Sequence, residues 1–254
     1  MFWAGQMAGI ASGTAGFAVD AADFDGTNDY MLRGAAFTGI ASSSKGIFSC
    51  WVRFDGGDAA EQTLLTDADT LCLIRKTTAN KVEITLWDTG SSNLLAFNSS
   101  AITAGATWRH ILASWDTGFS SGNKLHHLYV TNTSDKTVSV DSANGANVNL
   151  GATNWGIGAR TNASNKLNAA LAEFYFAPGQ YLDFSTSANR AKFISGGKPV
   201  NLGGDGSVPT GTVPIAYFRI LNGGAATDFA TNLGTGGNMT ITGTLDIASS
   251  SPSD

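Results

Sequence analysis

The sequence predicts an all-β chain, a two-sheet antiparallel sandwich with one short helix after the last core strand. Three observations carry this prediction. Apolar and polar residues alternate over short stretches, the period of a strand with one buried face. Clusters of Gly, Ser, Thr, Asn and Asp separate those stretches, and these are the turn formers. The 254 residues include 31 glycines, 43% hydrophobic and only 14% charged residues. That is enough apolar surface for one large core beneath a coat of hydroxyls and amides.

Taken in order, residues 1–21 are rich in Gly, Ala and Ser with little pattern and are expected to form an N-terminal arm. Residues 47–54 alternate, with Phe48, Cys50, Val52 and Phe54 on one face. Strands follow at 70–75 and 81–87, the second turning Val82, Ile84 and Leu86 inward, with a polar hairpin connection at 76–80. Another hairpin joins 108–115 to 124–130 across a tract dense in turn formers. Residues 154–160 form a strand whose glycines permit close backbone approach, and 168–176 complete the core set. The one helical signal runs from Ser185 to Phe193, between capping residues and the Gly196-Gly197-Lys198-Pro199 stop. Residues 201–254 add apolar tracts at 213–220 and 239–245, expected as further strands packing on the same domain.

Several function classes are disfavoured by bulk properties. A net charge of −5 with scattered Lys and Arg opposes a nucleic-acid partner, which needs a basic stripe. No apolar run reaches the roughly 18 residues of a membrane span. The first ten residues carry no Lys or Arg before the first small-residue tract, so a cytoplasmic start is expected in place of a secretory signal. Cys50 and Cys72 fall inside expected strands, where buried free thiols are favoured over a disulfide.

The Phe24-Asp25-Gly26 turn near the start and the small-Leu-x-Glu-aromatic strand at 170–174 resemble the opening and closing strands of concanavalin A-like (laminin-G-like) jelly rolls. The resemblance covers roughly residues 22–195, so 22–200 are expected to be the jelly roll. Family members that bind calcium use the Phe-Asp-Gly turn with an acidic pair on the closing strand. The resemblance therefore implies Asp25 and Glu173 as Ca²⁺ ligands, although Ala172 stands where the family carries an aspartate. The alternative is that Asp25 organises a turn and Glu173 makes a buried hydrogen bond. No other cofactor is expected.

Catalytic equipment is sparse. β-Glucanases of this fold need carboxyls about 5–5.5 Å apart. The three glutamates, Glu61, Glu83 and Glu173, lie in separate segments. Gly118-Phe119-Ser120-Ser121-Gly122 matches a hydrolase elbow by letter, but it sits between two strands and not between a strand and a helix. His110, His126 and His127 lack metal-ligand spacing. The chain is therefore expected not to be an enzyme. Trp87 and Tyr129 fall on the less apolar faces of their strands, where an aromatic either stacks a sugar or covers a sheet face or oligomer interface.

Residues 157–160, 168–176, 181–184, 196–203 and 234–245 resemble laminin-G-like proteins of tailed bacteriophages and prophages. The resemblance implies a non-enzymatic virion structural protein, in head decoration, tail or fibre. Such a protein is made in the host bacterial cytoplasm, assembled in multiple copies with other virion proteins and released by lysis. The alternative is a lectin-like receptor module for host surface polysaccharide.

Overall fold

The computed structural model describes residues 17–118, 124–142 and 145–254. Its strands run in chain order as β1 (Val19–Asp20), β2 (Ala22–Asp25), β3 (Tyr30–Leu32), β4 (Lys45–Phe54), β5 (Gln62–Asp67), β6 (Cys72–Lys76), β7 (Lys81–Trp87), β8 (Asn93–Ala101), β9 (Arg109–Asp116) and β10 (Leu125–Val130). They continue as β11 (Thr133–Ser134), β12 (Thr137–Asp141), β13 (Trp155–Ile157), β14 (Asn168–Pro178), β15 (Ile194–Ser195), β16 (Lys198–Pro199), β17 (Ala216–Phe218), β18 (Ile220–Leu221), β19 (Thr240–Thr242) and β20 (Asp246–Ile247). Two eight-stranded antiparallel sheets result. The first runs β11-β10-β9-β4-β14-β2-β20, with β17 also on β14. The second runs β12-β8-β7-β6-β5-β13-β3-β19.

Between the layers lies the core. Phe48, Cys50, Val52 and Phe54 of β4 face Val82, Ile84 and Leu86 of β7, with Trp155, Phe174 and Phe176 among them. These are the faces that the alternation predicts. Burying each such side chain contributes about 1.5–3 kcal/mol. Cys50 and Cys72 are both buried free thiols in this layer.

The two sheets differ on their outer faces. On the first, Ile47, Leu112, Tyr175 and Tyr217 pack under Phe184, Phe193 and Leu202. Trp51, Ala170 and Ala172 pack with Val19, Ile194 and Ala248. The segment that follows β14 and the chain's two end segments thus cover this sheet, and β4 is buried on both faces from Gly46 onward. On the second sheet, β7 alternates strictly between buried and half-buried residues. One of its faces stays open to solvent.

Segment 201–254 contributes strands to both layers, β17 and β20 to the first and β19 to the second. Within the expected arm, Val19–Asp20 forms β1, which pairs with β18, and residues 1–16 lie outside the described residues. The helix is shorter than the capping pattern predicts. Only α1 (Ser187–Arg190) is α-helical, and residues 191–193 form a turn. Thr186 at its N-cap makes no side-chain bond, while Asp183 Oδ1 instead ties down Ser185. The strand expected at 70–75 starts two residues later, because Thr70 takes φ +58° in a turn. Ser120 and the rest of its motif after Gly118 fall outside the described residues. No helix among the described residues is long and apolar enough to cross a membrane.

Glycine is required at position 158. Its φ is +81°, and a Cβ there would lie 2.6 Å from ring carbons of Phe24. This close approach locks the turn after β13 onto β2, the strand that leads into the Phe-Asp-Gly turn.

Candidate functional site

The open face of the second sheet carries a groove of about 440 Å³. Small-molecule sites commonly span about 300–1,000 Å³. Its floor is set by register: Leu73 of β6 sits opposite Thr85 of β7, and Arg75 opposite Glu83. Inward Val82, Ile84 and Leu86 force Glu83, Thr85 and Trp87 outward, because successive side chains of a strand alternate. Trp87 is half-buried and lines one wall. Asp69 and Thr70, from the turn before β6, and Ser91, from the turn after β7, close the ends. Arg160, just after β13 on the far side of β5, also lines the groove.

A polar lattice holds the groove in shape. Arg75 Nη1 donates to Glu61 Oε2 at 2.5 Å, and its Nε and Nη2 donate to Glu83 Oε1 at 3.0 and 2.7 Å. Arg160 donates through Nε and Nη2 to Glu61 Oε1 at 3.1 and 2.5 Å. Asn165 Nδ2 joins the same oxygen. Burial alone would raise the Glu61 carboxyl. The hydrogen bond from Arg160 and the charges of Arg75 and Arg160 outweigh it and hold Glu61 below the usual carboxylate range. The groove is therefore lined by an indole, two guanidinium groups and the Asp69 carboxylate, with Glu61 and Glu83 holding the guanidinium groups from behind.

The structure does not bring Asp25 and Glu173 together. Asp25 sits opposite Asn168 at the start of β14, and Glu173 lies five residues farther along that strand, about 16 Å at 3.3 Å per residue. Asp25 Oδ1 accepts the backbone N–H groups of Thr27, Asn28 and Asp29, and these bonds keep its carboxyl acidic despite the opposing effect of burial. Among the described residues, no three His, Cys, Asp or Glu are placed to hold a metal ion.

Glu173 occupies a β-bulge. Along one edge β14 pairs with β4, while its other edge passes from β2 at 168–171 to β17 at 174–176. Glu173 sits at that handover with φ +48°, and the extra residue moves the core-facing set from Ala169 and Leu171 to Phe174 and Phe176. Glu173 Oε2 accepts from Tyr217 Oη at 2.8 Å, and Tyr217 Oη accepts from Arg219 Nη1 at 3.0 Å. Oε1 has no hydrogen-bond partner. Burial pushes the carboxyl up to about 7, against the opposing pull of the Tyr217 bond and the Arg219 charge.

Tyr129 is buried in the apolar layer outside the first sheet, with the Arg190 guanidinium 4.5 Å above its ring. It covers a sheet face and leaves no surface for a sugar. Of the two expected aromatics, only Trp87 lines a groove. His126 stacks on Phe97 while His127 bonds Tyr181, on opposite faces of β10. His110 is buried against Trp51 and bonds Ser49, and burial pushes its pKa down to about 3.

Among solved structures, the chain is similar to one from Bacteroides ovatus ATCC 8483, a protein to which carbohydrate binding has been ascribed. The TM-score is 0.60 at 13% identity over 91% of this chain. The fold is a jelly-roll sandwich. This chain spans 60% of the length of that protein, and the likeness establishes the fold alone. Weaker likenesses reach domains LG4-5 of the mouse laminin alpha1 chain (TM-score 0.47, 10% identity, 67% of this chain and 45% of that one) and the binding domain of botulinum neurotoxin serotype C1 (TM-score 0.40, 15% identity, 56% and 34%). No protein-family model matches the sequence. No curated protein sequence matches it either.

Proposed function

We propose that this protein is a non-enzymatic carbohydrate-binding module whose sugar site is the groove on the open face of the second sheet. The observation that carries the reading is Trp87. It stands half-buried on the outward face of β7 and lines the groove with Leu73, Thr85, Arg75 and Arg160. Sugar rings present C–H faces that pack on an indole and hydroxyls that need fixed donors and acceptors. The carbohydrate binding ascribed to the Bacteroides ovatus protein is consistent with this reading. The first sheet, covered by the segment after β14 and by the chain's ends, offers no comparable face among the described residues.

The test is a glycan array probed with the full chain and with Trp87→Ala. Binding that falls at least tenfold in the variant, about 1.4 kcal/mol, supports the site. Binding unchanged by the substitution removes it. The tracts that resemble tailed-phage proteins support a virion as the setting, with the module contributing to adsorption beside other virion proteins. Mass spectrometry of purified particles tests that placement, and its absence from them would contradict it.

A further inference from the structure

Two arginines in one groove ordinarily point to an anionic ligand, because guanidinium forks match carboxylates. In this groove the side-on Nε/Nη2 fork of each arginine is already engaged. Arg75 spends Nε, Nη1 and Nη2 on Glu61 and Glu83, and Arg160 spends Nε and Nη2 on Glu61. Against these two cations stand three carboxylates, Glu61, Glu83 and the lining residue Asp69. The local balance is thus slightly negative.

A sugar carboxylate entering here would meet a net negative site and only leftover N–H groups, such as those of Arg160 Nη1, unless it displaced Glu61 or Glu83 from its arginine. The glutamate left behind would be partly buried and unpaired, since the side chains of Glu61 and Glu83 are only 22% and 18% exposed. Stranding a charge in that way costs more than a new pair returns. A hydroxyl asks for no exchange. It donates to a carboxylate oxygen and accepts from guanidinium N–H, such as Arg160 Nη1, which takes no part in the bonds above. Thr85 Oγ1 already shows that geometry, donating to Glu83 Oε1 at 3.4 Å. Trp87 and Leu73 supply the apolar wall.

Building on the glycan reading of the groove, we infer that its ligand is an uncharged oligosaccharide, and that the Glu61–Arg75–Glu83–Arg160 lattice rejects sialylated and uronic sugars. The lattice then acts as a charge filter as well as a scaffold.

Titration calorimetry of the full chain tests this with two panels. The neutral panel is gluco-, manno- and chito-oligosaccharides, and the acidic panel is sialyllactose and oligogalacturonate. The expected result is a neutral ligand whose binding falls at least tenfold in Trp87→Ala and changes less than twofold between low and moderate salt. Each acidic sugar is expected to bind at least tenfold more weakly. Glu61→Gln, which releases the Arg160 fork, is expected to raise affinity for the acidic panel at least fivefold without strengthening the neutral one. An acidic sugar that binds best, depends on Trp87 and weakens with salt would overturn the filter while leaving the glycan site standing. Binding in neither panel, or binding indifferent to Trp87, would remove the glycan site itself.

Discussion

Replacing Glu173 by Gln tests the electrostatics of the bulge most directly. Burial raises this carboxyl from its ordinary 4.5 to about 7. Between those values the folded protein holds a proton that the unfolded chain has released. Stability is therefore lost as pH rises through the window, at about 1.4 kcal/mol per pH unit. Across the window the loss is about 3 kcal/mol. Gln cannot ionise, and its carbonyl still accepts from Tyr217, so the variant escapes the loss. Other groups titrate in the same range. His110, pushed down to about 3 by burial, stabilises the fold as pH rises from there to its ordinary 6.5. Asp67, pushed up to about 6 chiefly by burial, acts in the opposite sense above its ordinary 3.8. Subtracting wild type from variant cancels both. Urea unfolding at pH 4.5 and pH 8 gives that difference, and it is expected to move in favour of Glu173→Gln by about 3 kcal/mol as pH rises. A difference that stays flat within 1 kcal/mol would refute the claim that this carboxyl is held protonated by burial.

Two further outcomes are expected. Gly158→Ala places a Cβ against the Phe24 ring at a positive φ, so it should cost about 2–4 kcal/mol in chemical denaturation, where an ordinary turn glycine would cost about 1. Since Asp25 and Glu173 lie about 16 Å apart along β14, adding Ca²⁺ or a chelator should leave the melting temperature unchanged. A rise of several degrees with Ca²⁺ would show a site that these two residues do not form.

The sheet faces that build the core were legible because the side-chain period of a strand is local. Phe48, Cys50, Val52 and Phe54, like Val82, Ile84 and Leu86, can be assigned from their spacing alone. Trp87 followed from the same alternation. Tyr129 did not, because its cover comes from Arg190, sixty-one positions along the chain. The apolar alternate positions of β4, Ile47 and Trp51, were the available signal that the first sheet is buried on both sides. At β14 the apolar period skips from Leu171 to Phe174, and that skip marks the bulge that holds Glu173. The groove lattice joins residues 61, 75, 83, 160 and 165, and only strand order brings them together. No local pattern in the sequence announces it.

The central claim is that the open face of the second sheet binds sugar at Trp87. Its most direct test is an NMR titration of the labelled chain with the tightest neutral oligosaccharide. The indole N–H of Trp87 and the methyl groups of Leu73 and Thr85 are expected to shift together and saturate at one affinity, with Tyr129 and Tyr217 unmoved. Shifts confined to the first sheet or the strand edges, with Trp87 silent, would contradict the account.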